Sequence, residues 1–371
     1  MSTFTPLRFL ALMLLVLSNL LAPMAQAASE AEVRLIYDNV RSKFPDFNVF
    51  CKMSDDERRR VGVEATMALA SARKLSDPFG AGPQAGVLLR RDCGIEAAPL
   101  DPAKLRWLVN AKPLSFDPER ATFGMFTRVQ SMANKVYAPE GNGSFPAVVV
   151  NTTKGGLSEH LRVHARELID AGFAVLLVDT FGPRGYKIGV NEPLPAEFAK
   201  DAYDALAHLL TLSYIDKDRI FQTGYSYGGM AAALLASPEG AQEFKSKARF
   251  RATVSNYGGC TIASPYAGGQ AKATYVDMLS ADSDRPILIL MAELDIETPP
   301  KNCFPLLEQM KAAGKDVQWH IYPGTTHGWD KAENNGYVYR TISGESMTYR
   351  YDAGIARDAT GRMISFFNRY R

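Results

Sequence analysis

Polar and apolar positions follow two different rhythms along the chain. Between residues 29 and about 110 the rhythm is helical. Val33, Ile36, Tyr37, Val40 and Phe44 recur in steps of three and four, as one buried face of an amphipathic helix requires. Ser29 and Glu32 before them form a capping-box pair, in which hydroxyl and carboxylate each satisfy an orphan amide. Ser54 and Glu57 repeat that signal ahead of Val61, Ala65, Leu69 and Ala72. Asp101-Pro102 reads as a third helix start, with proline at the first helical position. The stretch Pro78 to Pro83 between them reads as loop. Residues 28–114 are therefore expected to form a helical extension, either packed on a main domain or lying over it as a lid.

From about Phe116 the rhythm changes. Short apolar runs alternate with amphipathic segments. Ala147–Val150, Phe173–Val178, Ile220–Thr223, Thr253–Ser255, Ile287–Met291 and Val317–Tyr322 read as strands. The helices expected between and after them start at Ser158, as a cap, and cover Ala196–Leu212, a segment from Tyr227, Phe304–Ala313 and Ala353–Phe367. Continuous apolar strands alternating with helices predict an α/β fold over residues 115–371: a doubly wound, mostly parallel sheet. The segment from Thr261 to Pro286 lies between two of these strands and reads as an insertion.

Composition adds the compartment. The chain of 371 residues is 46% hydrophobic and 22% charged, with 42 basic and 40 acidic side chains and a net charge of +2. That balance gives no reason to expect a nucleic-acid partner. Arg8 precedes an almost wholly apolar run over residues 9–21, and Ala25-Gln26-Ala27 follows. This is the layout of a signal peptide over residues 1–27, with an uncleaved N-terminal anchor as the alternative. The run is short for a membrane span, and the mature protein is expected to be periplasmic or secreted, with no stable span. Cys51, Cys93, Cys260 and Cys303 form an even set, which favours disulfides in an exported chain. The pairing Cys51–Cys93 and Cys260–Cys303 keeps each bridge within one part of the chain; four free thiols are the alternative. No pair has the spacing of a metal site, and no metal or cofactor is expected.

Candidate chemistry follows the Ile220–Thr223 strand. Gly224-Tyr225-Ser226-Tyr227-Gly228 stands between a strand and a helix start, the context in which a serine nucleophile is held on a sharp turn. The turn would expose the hydroxyl and leave the Tyr227 amide at the positive end of a helix, where it can meet an oxyanion. A serine needs a base. Of the two histidines after Ser226, His320 lies inside a strand and His327 just past one, so His327 is the candidate. The acid belongs after Ile287–Met291. Asp295 is the first choice there, with Glu293 and Glu297 as rivals that spacing alone leaves open. The loop Asn151–Gly156 is expected to give a second oxyanion donor, the amide of Thr153. Tyr225, Phe181 and Trp329 are candidates for the substrate pocket, and Tyr227, Tyr266 and Tyr275 are further aromatics near it. Arg184 either binds a substrate carboxylate or forms a structural ion pair with a neighbouring acid.

Taken together, Asp218-Arg219-Ile220-Phe221 running into Gly224–Gly229, Asp179–Gly185, Glu293-Leu294-Asp295 and His327-Gly328 resemble the dienelactone hydrolase family of α/β-hydrolases. The resemblance covers roughly residues 129–367 and favours Asp295 as the acid. Founding members of that family use a cysteine nucleophile, whereas this chain has Ser226. Thr152-Thr153 stands where the family's oxyanion loop has His-Gly. The resemblance therefore implies hydrolysis of a small-molecule carboxylic ester through an acyl-enzyme. Peptidase or amidase action by the same three residues is the neighbouring alternative. A binding protein on a hydrolase scaffold is the alternative from another class.

Overall fold

The computed structural model describes residues 29–75, 78–95, 106–107, 112–124, 127–188, 192–263, 275–341 and 344–370. The expected signal peptide, the Asp101-Pro102 helix start and Tyr266 lie outside them. Backbone contacts divide the chain into two compact units. The first takes residues 1–100 with 265–273 and 340–345; the second takes 101–264, 274–339 and 346–371.

The described part of the first unit consists of helices α1 (Glu30–Lys43), α2 (Phe47–Cys51), α3 (Asp55–Ser71) and α4 (Pro78–Asp92). Both capping boxes form, at Ser29/Glu32 and at Ser54/Glu57. Val33, Ile36, Tyr37 and Val40 of α1 pack with Phe50, Ala65, Leu69, Ala81, Ala85 and Leu89. The loop expected over Pro78–Pro83 is instead the start of α4. Pro78 opens the helix, where a missing amide costs nothing. Gly82 faces α3, where an added Cβ would stand 3.0 Å from Thr66 Oγ1. A disulfide joins Cys51 to Cys93 across 42 residues, and closing a loop of that length stabilises by roughly 4 kcal/mol in the chain-entropy treatment.

The second unit is built on an eight-stranded sheet. Its strands are β1 (Arg120–Ala121), β2 (Val136–Tyr137), β3 (Phe145–Asn151), β4 (Ala174–Val178), β5 (Ile215–Tyr225), β6 (Thr253–Asn256), β9 (Ile287–Ala292) and β10 (Val317–Tyr322); β7 (Thr261–Ala263) and β8 (Tyr275–Asp277) form a separate antiparallel pair. The order in the sheet is β1-β2-β4-β3-β5-β6-β9-β10. β2 runs antiparallel to β4, and the other neighbours are parallel.

Alternate residues of each strand face opposite sides, and each side has its own helices. Ala147, Val149, Ile287 and Ile289 pack with Phe198, Ala202 and Leu206 of α7 (Pro195–Leu209), with Met230 and Leu234 of α8 (Tyr227–Leu235), and with Leu307 and Met310 of α10 (Phe304–Ala312). Val148, Val150, Leu288 and Leu290 pack with Leu161, Ala165 and Leu168 of α6 (Glu159–Asp170), and with Met363, Phe366 and Phe367 of α11 (Ala353–Asn368). The short helices α5 (Val129–Met132) and α9 (Pro238–Glu243) complete the unit, with the paired strands β11 (Val338–Arg340) and β12 (Ser346–Thr348). This is the doubly wound, mostly parallel sheet of the α/β-hydrolase type. Trp107 and Leu114 are buried in the first of its two cores. Gly314 follows α10 with φ +71°, as a helix-ending glycine does. Ser158 is the N-cap residue of α6, but its hydroxyl makes no cap bond and pairs with His160 Nδ1 at 2.8 Å.

Candidate active site

Ser226 sits between β5 and α8 with φ 53° and ψ −111°, a backbone state rarely open to a side chain. Two glycines make the turn sterically feasible. A Cβ on Gly224 would stand 2.1 Å from Gly228 O, and one on Gly228 would stand 2.6 Å from Thr152 O. The turn is pinned by Ser226 N donating to Asn256 O at 3.0 Å and Gly228 N donating to Thr152 O at 3.1 Å. Tyr227 opens the helix, so its amide is one of those that intrahelical bonding leaves free. The Gly228–Thr152 bond also fixes the peptide that carries the Thr153 amide. Beyond it the loop doubles back, with Gly155 N on Thr153 Oγ1 (3.0 Å) and Gly156 N on Thr153 O (2.9 Å).

The structure brings Ser226, His327 and Asp295 together from three strand ends. His327 Nδ1–H donates to Asp295 Oδ2 at 2.6 Å, and Nε2 lies 3.0 Å from Ser226 Oγ. All three side chains are buried. Asp295 Oδ1 accepts from the amides of Glu297 (2.8 Å) and Thr298 (2.9 Å), and Thr298 Oγ1 lies 2.7 Å from Oδ2. Burial opposes the Asp295 charge, but the imidazole and these donors outweigh it and hold the carboxyl below its ordinary value. For His327 burial again opposes the charge. The Asp295 and Glu297 carboxylates prevail and raise the imidazole to about 9.

The rival acids point elsewhere. Glu293 accepts from Gly324 N at 2.8 Å, and Glu297 accepts from the Tyr349 hydroxyl. His320 stays in its strand, edge-on to Tyr322. Arg184 is committed to buried Asp201 at 2.5 Å, a structural ion pair. Cys260 is joined to Cys303, so the segment after β6 is tied to the N-cap of α10, bracketing the Asp295 loop.

Two pocket expectations are corrected. Tyr225 and Trp329 are 2% and 1% exposed and belong to the core on the α6 side of the sheet. Tyr225 stacks on His164 at 5.1 Å, and Trp329 meets Tyr257 edge-on at 4.7 Å. Tyr225, the last residue of β5, points to the α6 side of the sheet, and Trp329, in the loop after β10, packs there against Tyr257 and Tyr322. Phe181 packs against Phe198 on the other side, with its ring 3.6 Å from where a Gly156 Cβ would stand. Tyr227 is half-buried, edge-on to Phe198, with Lys154 Nζ 5.6 Å over its ring.

Sequence reasoning missed a buried network beneath the site. His164 Nε2–H donates to Asp330 Oδ2 at 2.9 Å, and Tyr257 OH donates to Asp330 Oδ1 at 2.7 Å. Thr360 Oγ1 lies 2.8 Å from His164 Nδ1. Burial opposes both charges of the pair, but each group stabilises the other. Asp330 falls to about 2, and His164 rises to about 9 with help from Glu167. Neighbouring His160, with no carboxylate hydrogen-bonded to it, is driven by burial down to about 3 and is neutral. The available signal was His160 and His164 at i and i+4 on the apolar face of α6, ahead of Ser226 where no base was sought. Among the described residues no group of His, Cys, Asp and Glu is arranged to hold a metal ion.

Residues 132–371 match the dienelactone hydrolase family. The chain belongs to that family. A relative of this dienelactone hydrolase-family chain, the Escherichia coli O157:H7 protein named "Putative carboxymethylenebutenolidase", is 22% identical over 272 residues, covering 68% of this chain and 89% of the relative. Among solved structures, Thermogutta terrifontis esterase 2 aligns with TM-score 0.44 and 18% identity, over 62% of this chain and 86% of its own. A dienelactone hydrolase-like promiscuous phosphotriesterase from metagenomic libraries aligns with TM-score 0.44 and 19% identity, over 62% and 88%.

Proposed function

We propose that this family member is an exported serine hydrolase that cleaves small-molecule carboxylic esters through an acyl-enzyme. The observation that carries the reading is the unbroken run from Ser226 Oγ to His327 Nε2 at 3.0 Å and from His327 Nδ1 to Asp295 Oδ2 at 2.6 Å. In this reading Ser226 attacks the ester carbonyl while His327 takes its proton. The imidazolium then returns that proton to the leaving alcohol. Asp295 holds the working tautomer and balances the transient charge. Amides of Tyr227 and Thr153 receive the oxyanion, each worth roughly 3 kcal/mol. Water, activated by the same imidazole, releases the acid and restores Ser226. A serine hydroxyl in place of the founding family's cysteine supports general esters over dienelactone. Two disulfides, one in each unit, support an oxidising compartment, in keeping with a cleaved leader at residues 1–27. Among the described residues no helix is long and apolar enough to cross a membrane.

The test is Ser226→Ala assayed on p-nitrophenyl esters and with a fluorophosphonate probe. Hydrolysis is expected to fall by about 10⁴-fold or more with labelling abolished and the melting temperature retained. Ester turnover unchanged in the variant would end the reading.

A further inference from the structure

Two hydrogen bonds do not by themselves fix the plane of an imidazole, and two tyrosine rings also meet His327. Tyr257, just after β6, approaches it at 4.9 Å between ring centres and 65° between planes. Tyr349, just after β12, approaches at 5.8 Å and 78°. Both tyrosines are buried, and each hydroxyl is tethered to a carboxylate. Tyr257 OH donates to Asp330, which the His164 ion pair locks in turn. Tyr349 OH donates to Glu297, in the loop whose Glu297 amide already holds Asp295 Oδ1. Tyr349 also lies against the histidine loop, with its ring 3.1 Å from where a Gly328 Cβ would stand. Burial and the neighbouring carboxylates raise both phenols, so both remain donors at physiological pH.

We propose that Tyr257 and Tyr349 are positioning residues for His327, each a rigid ring tethered by a carboxylate, which together hold the imidazole in the plane that both of its hydrogen bonds need. This rests on the reading of His327 as the base. Edge-on aromatic contacts favour defined angles, and a ring whose hydroxyl is anchored cannot swing away. The clamp has a second consequence. Glu297, turned to Tyr349 by that tether, bonds to neither ring nitrogen, yet its charge adds to that of Asp295 in raising the imidazole. The other groups facing His327 are Lys331 in its own loop, which opposes the two carboxylates, and the two phenols. Glu297 therefore strengthens the base without bonding to it.

The experiment uses the full-length mature protein, with kcat expressed per fluorophosphonate-labelled serine so that misfolded molecules are not counted. Tyr349→Phe and Tyr257→Phe keep the rings and cut the tethers. Each is expected to lower kcat roughly tenfold or more with KM within twofold, as misplacement of a catalytic group does. Glu297→Gln keeps an acceptor for Tyr349 but removes the charge, and the midpoint of the pH–kcat profile is expected to fall. A kcat per labelled site within twofold of the parent in both Phe variants, or an unmoved midpoint in Glu297→Gln, overturns the proposal. Tyr349→Phe carries the test if Tyr257→Phe does not fold. Failure of the underlying reading looks different: the parent protein itself would not be labelled.

Discussion

The turn at Ser226 and the loop at His327 face each other across 3.0 Å, yet they are built differently. The turn at Ser226 is held mainly by backbone. The Ser226 and Gly228 amides donate to Asn256 O and Thr152 O, Asn256 Nδ2 adds a bond to Gly224 O, and the shape depends on two positions where any side chain would collide. The loop at His327 also has main-chain ties, from Leu294 N to Thr325 O and from Asp352 N to Trp329 O, but side chains dominate at the imidazole and at the loop's own Asp330: Asp295 bonds His327, Tyr257 and His164 bond Asp330, and Tyr349 packs against the imidazole. The difference suits the proposed roles: a nucleophile turn has one oxygen to place and keep still, whereas a base loop has a titrating group to tune, and side chains carry the charges that do so.

This contrast can be broken at several points. The largest expected effect is steric. Gly228→Val would drive side-chain atoms into the carbonyls of Thr152 and Asn151, costing at least about 4 kcal/mol. Loss of soluble protein, or of the cooperative thermal transition, is the expected readout.

Next in size is Asp330→Asn, which strips a buried imidazolium of its partner, at a cost of about 3–5 kcal/mol. This effect depends on pH. His164 is raised to about 9, so its share is complete below its unfolded value and is lost as pH rises through 9. Asp330 is lowered to about 2, so its share is complete above its unfolded value and is lost as pH falls through 2. The gap in melting temperature between parent and variant should be widest near pH 5–6 and shrink toward pH 9. A gap constant from pH 5 to 9 would refute the ion pair.

A smaller effect is expected from Thr298→Val, which removes the hydroxyl beside Asp295 Oδ2. A hydrogen bond to a charged group is worth about 1.5–3 kcal/mol. kcat/KM should fall ten- to hundredfold, with the melting temperature lowered by only a few degrees. The gentlest probe is pH alone. Ester hydrolysis needs neutral His327, so the rate should rise with pH through a midpoint above 6.5, in the direction of the raised imidazole. A midpoint at or below 6.5 would show that the carboxylates do not govern the base.

The same contrast explains what was legible in the sequence. Sterics at a sharp turn dictate residue identity, so Gly224-x-Ser226-x-Gly228 announces itself. Strand positions were legible from short runs, mostly apolar and rich in β-branched residues, that alternate with amphipathic helical segments. A side-chain network leaves no such trace. Asp295, Glu293 and Glu297 differ in where their carboxylates go, to His327, to Gly324 or to Tyr349, and spacing does not encode direction. Tyr257, Asp330, His164 and Thr360 come from four distant segments, and nothing local marks their meeting. Tyr225 and Trp329 read as pocket candidates, but Tyr225 ends β5 on the α6 side of the sheet and the loop after β10 folds Trp329 into the same core. Pro78–Pro83 failed for another reason: proline and glycine also open helices and allow two of them to touch.

The Cys260–Cys303 bridge has a practical consequence. It fastens together the two segments on either side of the acid loop. Synthesis in a thiol-rich cytosol would leave that loop unlaced, and enzyme recovered that way should regain turnover on air oxidation, without new translation. Where the chain matures would then govern when it can first act.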